Sequence, residues 1–156
     1  MRARSGVLLF ADDDEDYRFF VDRALQGTAF YEDVRIFDGG STVIKYLQGS
    51  WIYADRDTHP VPDMLFLDAK MPPPNGFDVL RWMQTHPQHR VIPTIILSAS
   101  SHPADVDTAY ELGAQAYLVK PDHYIGLLPL VEAANRFWTT TAKPIASNPR
   151  SEDQLD

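Results

Sequence analysis

The sequence contains no cysteine. That absence excludes thiolate metal centres, disulfide frameworks and cysteine nucleophiles together. It is also poor in base. Fourteen Lys and Arg face 22 Asp and Glu, which leaves a net charge of −8. Attachment to a phosphate backbone needs basic surface, so nucleic acid is not an expected partner. Long hydrophobic runs are missing too. Val7–Ala11 and Ile95–Leu97 fall far below the ~20 residues of a membrane span. Arg2 and Arg4 precede no signal-peptide core, because charged Asp12 follows too soon. A soluble cytoplasmic domain without membrane contact is the expectation.

What is present suits one globular unit. The 156 residues are 44% hydrophobic and 23% charged, enough for a core without staples and unlike a disordered or fibrous chain. Short apolar runs mark five strands: Val7–Ala11, Val34–Phe37, Met64–Leu67, Thr94–Leu97 and Ala116–Val119. Helical spacing fills the intervals. It links Tyr17, Phe20, Val21, Ala24 and Leu25 up to Gly27, with Asp14, Glu15 and Asp16 suited to the first turn. Ser41 is a candidate N-cap for a helix carrying Val43, Ile44, Tyr46 and Leu47. A third helix carries Phe77, Val79, Leu80, Trp82 and Met83 and ends before Pro87. A fourth runs from Pro103 to Gly113, and a last from about His123 to Trp138, bent or restarted near Pro129. Gly49 to Pro62 is long for a connection and is expected to hold a helical turn packed by its aromatics, Trp51 and Tyr53. The five histidines show no ligand spacing and are expected at the solvated surface.

Strict alternation of strand and helix predicts an α/β fold, a doubly wound five-stranded parallel sheet with helices on both faces. Right-handed crossovers favour the flavodoxin-like order 2-1-3-4-5, whose ligands sit beyond the carboxyl ends of the strands. Those ends carry Asp12 and Asp13, Asp68, Ser98 and Lys120. Carboxylates about 5 Å apart repel by about 3 kcal/mol per pair at an effective dielectric near 20. Such a cluster calls for a cation, and oxygen donors without His or Cys favour Mg²⁺ over Zn²⁺. With Mg²⁺ and Lys120 neutralising oxygens, Ser98 donating and one Asp accepting, the set can bind a phosphoryl group.

The motifs around these residues resemble the response-regulator receiver domains of two-component signalling. They are Leu8-Leu9-Phe10-Ala11-Asp12-Asp13-Asp14, Leu67-Asp68-Ala69-Lys70-Met71-Pro72 with Asn75-Gly76, Ile96-Leu97-Ser98-Ala99, and Gly113–Pro121. The resemblance covers Val7 to about Trp138. It implies a chemotaxis-receiver-like fold and a phosphoacceptor at Asp68 served by a sensor histidine kinase. It further implies that Asp13, Asp68 and the Lys70 backbone carbonyl ligate Mg²⁺, with Asp12 acting through metal-bound water. Ser98 and Lys120 would hold phosphoryl oxygens, and Tyr117 would be the switch aromatic. Such a protein is a switch with weak intrinsic phosphoryl chemistry, not an enzyme. The loop around Trp51-Ile52-Tyr53-Ala54 and the ending Asn135-Arg136-Phe137-Trp138 resemble, more narrowly, the stand-alone regulators paired with bacterial phytochromes. That implies a phytochrome-type kinase and a homodimer. Two features depart from the family pattern: the rigid Pro72-Pro73-Pro74 and Lys70 in place of a small polar residue.

The expected domain plan is a receiver at 1–140 and a flexible tail at 141–156, with no output domain. The signal would then pass by protein contact through the face of the fourth helix, fifth strand and fifth helix. Changed dimerisation, a downstream partner and relay to a histidine phosphotransfer protein all remain open. Two other functions compete. One is a receiver fold used only as a phosphorylation-independent dimerisation or docking module, which the intact Asp-Asp-Asp-Ser-Lys set disfavours. The other is a haloacid-dehalogenase-type phosphatase, disfavoured because no Thr or Val follows the spaced Asp12, Asp14 and Asp16.

Overall fold

The computed structural model describes residues 6–26, 31–121 and 129. Five parallel strands form one sheet: β1 (Gly6–Ala11), β2 (Tyr31–Phe37), β3 (Met64–Asp68), β4 (Thr94–Ser98) and β5 (Ala116–Val119). Their order is β2-β1-β3-β4-β5, as the alternation predicts. Four helices fill the crossovers: α1 (Glu15–Gln26), α2 (Gly40–Gln48), α3 (Gly76–Gln84) and α4 (Pro103–Glu111). One further helical turn, Pro87–Arg90, follows α3 and was not expected from the sequence. The last helix expected at His123–Trp138, the stop at Gly27, and the tail at 141–156 lie outside the described residues.

Strand residues alternate between two cores, as a period of two requires. Val7, Leu9, Ala11, Leu65, Leu67 and Ile96 face α2 and α3, where Val43, Tyr46, Leu47, Val79, Leu80 and Met83 are buried. Leu8, Phe10, Met64, Phe66, Ile95 and Leu97 face α1 through Val21, Ala24 and Leu25. Both faces of the central strands are therefore covered, which is why β1, β3 and β4 read as unbroken apolar runs.

The loop after α2 differs in part from expectation. Its turn, Trp51–Tyr53, is present, but only Tyr53 packs inward, against Phe37, Tyr46 and His59. Trp51 is 90% exposed. The loop is fastened by charge instead. Arg56 donates to the Tyr46 and Leu47 carbonyls at 2.9 and 2.8 Å, closing the C-terminus of α2. The N-cap of α2 is Gly39 rather than Ser41.

His89 and His59 depart from the solvated surface expected of them. His89 is only 7% exposed and stacks on Trp82 at 5.2 Å, because the turn at Pro87–Arg90 folds it back onto α3. His59 is half-buried against Tyr46 and Tyr53. His102 is exposed as expected and caps α4, its Nδ1 accepting the Ala104 amide at 3.1 Å.

Candidate functional site

The carboxyl end of the sheet is built from its sequence outward. β1 ends at Ala11, and the acids after it make their own turn. Asp12 Oδ1 accepts the Asp14 amide at 2.9 Å. Asp14 Oδ1 accepts the amides of Asp16 and Tyr17 at 2.9 and 3.3 Å, satisfying donors at the start of α1. Arg18 then donates to the Asp12 carbonyl at 2.8 Å. The acidic run is thus a helix entry that fixes Asp12 inside and leaves Asp13 exposed.

Asp68 is the last residue of β3 and is 4% exposed. Its Oδ1 accepts the Lys70 amide at 3.2 Å, while the Lys70 side chain is exposed. The chain beyond is held close by α3. Asn75 and Asp78 form a reciprocal capping box at its N-terminus. Gly76, the first residue of α3, lies against the Asp68 carbonyl, and a Cβ there would collide with it. Pro74 similarly lies against Gly40, so the three-proline loop is wedged at the start of α2.

Lys120, just after β5, reaches back over this floor. Its Nζ lies 2.6 Å from Asp12 Oδ2 and 3.3 Å from Asp68 Oδ2. Oxygens of Asp12, Asp13 and Asp68 all lie within 4.8 Å of one another. One lysine against three carboxylates leaves a local charge of −2. Burial pushes the Asp12 carboxyl up to about 6, although the Lys120 hydrogen bond opposes the shift; the Asp68 charge adds to it. This set fits a divalent cation: its donors are hard oxygens, they lie close together, and one lysine does not offset their charge.

The other wall comes from β4 and β5. Ser98 is fully buried, and its Oγ accepts the Ser100 amide at 3.2 Å. The Lys120 amide donates to the Ser98 carbonyl at 2.7 Å, tying the two strand ends together. The Tyr117 hydroxyl donates to the Ser100 carbonyl at 2.6 Å. Ser100 in turn donates from Oγ to Asp105 Oδ2 at 2.6 Å, in the first turn of α4.

Asp12, Asp13, Asp68 and Lys120 therefore meet in one cluster, with Ser98 at the end of the neighbouring strand. Two residues were not foreseen. Ser100 links Ser98, Tyr117 and α4, and Tyr17 places its ring centroid 4.4 Å from Lys120 Nζ. An aromatic four residues after the acid pair was the available signal for Tyr17, but its spacing is equally that of a core position.

The sequence matches the family described as the response regulator receiver domain over residues 8–131. It is similar to the response regulator Rcp1 of Synechocystis sp. (strain ATCC 27184 / PCC 6803 / Kazusa), with 28% identity over 135 residues, 86% of this chain and 89% of Rcp1. The structure of Mn²⁺-bound Rcp1 aligns with a TM-score of 0.77 at 26% identity, covering 89% of this chain and 98% of that one. The bacteriophytochrome response regulator RtBRR aligns with a TM-score of 0.72 at 28% identity, covering 97% and 93%.

Proposed function

The chain belongs to the response regulator receiver family, whose members are phosphoacceptor switches that take their phosphoryl group from histidine kinases and bind a divalent metal, and we propose that Asp68 is its phosphoacceptor. The observation that carries this reading is the burial of Asp68 within 3.3 Å of the Lys120 ammonium and beside two further carboxylates. In the transfer, an Asp68 oxygen forms a bond to phosphorus as the donor's N–P bond breaks, and the electron pair leaves with the imidazole nitrogen. Lys120, already beside Asp68, exchanges that contact for one to a new phosphoryl oxygen, and Ser98 donates a hydrogen bond to another. Asp13, Asp68 and the Lys70 carbonyl would hold Mg²⁺, with Asp12 acting through bound water. Bound there, Mg²⁺ would neutralise phosphoryl charge.

The donor is assigned as a phytochrome-type histidine kinase in the cytoplasm. The support is the similarity to RtBRR, whose name makes it a bacteriophytochrome response regulator. The output is assigned to protein contact, including a homodimer, through α4, β5 and the helix expected at His123–Trp138. Exposed Tyr110 on α4 and Val119 on β5 support that surface. Tyr117, joined to the β4–α4 loop through Ser100, would couple it to the phosphoryl site.

The test is incubation with acetyl phosphate and Mg²⁺, beside Asp68→Asn, with intact mass and oligomeric state followed together. A phosphate adduct in the parent alone supports the reading, and a linked shift from monomer to dimer supports the output. A parent that gains no adduct from acetyl phosphate or from a phosphorylated phytochrome-type kinase overturns it.

A further inference from the structure

Lys120 is gripped from two sides. The Asp12 and Asp68 carboxylates hold its ammonium at 2.6 and 3.3 Å, and the Tyr17 ring lies 4.4 Å away. We propose that Tyr17 is a positioning residue of the phosphoacceptor site, its ring confining the Lys120 ammonium so that it is already placed for a phosphoryl oxygen on Asp68.

Three observations carry this. A lysine ammonium on a four-carbon stem has many rotamers, and a charge that must meet a transferred group gains from having few. The carboxylates alone do not fix it, because phosphorylation turns the Asp68 carboxylate into an uncharged acyl group of a mixed anhydride. The ring is the contact that need not change when Asp68 reacts. Second, the ring is itself fixed. Tyr17 stands in the first turns of α1, entered through the Asp14 cap, and meets Phe10 of β1 edge-to-face at 6.5 Å. Third, the Tyr17 hydroxyl is buried with no hydrogen-bond partner among the described residues, so the contact it offers the ammonium is the face of its ring.

The inference rests on the phosphoacceptor reading, but one part of its test does not. In the unphosphorylated parent, NMR should find the Lys120 ε-methylene protons shifted upfield by the Tyr17 ring current. Tyr17→Phe should keep that shift and Tyr17→Leu should abolish it. Labelling by acetyl phosphate should slow about 5- to 10-fold in Tyr17→Leu, the scale of one partly desolvated cation–π contact, and Tyr17→Phe should rescue most of the loss. An unshifted lysine in the parent overturns the proposal whether or not the variants fold. Equal slowing in Phe and Leu also overturns it, because the hydroxyl rather than the ring would then be at work. A parent that shows the ring shift yet never takes phosphate on Asp68 refutes the phosphoacceptor reading instead, and with it the purpose assigned to the grip.

Discussion

Lys120 and Asp12, 108 positions apart in the chain, meet through a 2.6 Å charge-assisted hydrogen bond at the carboxyl end of the sheet. Asp12 is fully buried, and an ionised carboxylate there without a partner would cost several kcal/mol. The pairing makes the acidic cluster tolerable at rest. It also stores the cation that a phosphoryl group on Asp68 would use. What remains uncompensated is the rest of the cluster, and that residue of charge sets the first expectation.

Removing one acid should stabilise the metal-free protein and remove its response to metal. In the parent, Mg²⁺ at 100-fold over its Kd should add about 3 kcal/mol, or roughly 5–10 °C in Tm. Asp13→Asn should raise the Tm measured in chelator and flatten the Mg²⁺ increment. Differential scanning calorimetry with and without Mg²⁺ checks both, and a variant that keeps the full increment would remove Asp13 from the ligand set.

Gly76→Ala should damage folding and phosphorylation together. The added Cβ meets the Asp68 carbonyl, and backbone, unlike a flexible side-chain tip, yields little. A cost of about 1–3 kcal/mol is expected from such overpacking, with slower labelling because the strand end carrying Asp68 must shift. Urea unfolding and acetyl phosphate labelling of the same variant measure the two effects. A variant as stable as the parent would show that α3 can slide away from β3.

His89 predicts a pH dependence of stability. Burial first, then the positive charges of His86 and Arg56, depress its pKa below the ordinary 6.5. Its neutral form contributes fully above about pH 6.5. That contribution is lost as the pH falls through the depressed folded value, because the unfolded chain takes up the proton first. His89→Phe, which keeps the ring on Trp82, should therefore gain on the parent between pH 7.5 and pH 5. Parallel denaturant titrations at those two values decide it: an unchanged difference would mean that His89 does not titrate differently in the folded state.

Much of this site could be read from the sequence because it lies where regular structure stops. Apolar runs end abruptly at Asp12, Asp68 and Ser98, buried on both faces, and at Lys120 on the half-buried edge strand, so the strand pattern alone places those residues along one edge. Contacts that join distant elements left no such trace. The ring of Tyr17 sits at an ordinary helical core spacing, and nothing local announces Lys120 beneath it. Ser100 stands beside Ser101 in the sequence, and only the fold brings its hydroxyl to Asp105 and its carbonyl to Tyr117. His89 lies inside, against expectation, because the four residues Pro87–Arg90 form a turn that folds its ring onto Trp82. Trp51 was misjudged in the opposite sense: aromatic character suggested packing, but Arg56 fastens the loop and Trp51 remains outside.

Phosphate on Asp68 can be located chemically. Treating the acetyl phosphate-labelled protein with borohydride reduces an aspartyl phosphate to homoserine, and peptide mass mapping then locates the converted residue. Homoserine is expected at position 68 and nowhere else, dependent on Mg²⁺ and slowed in Lys120→Met. Conversion at Asp12 or Asp13, or phosphate retained on a residue that borohydride does not reduce, would contradict it.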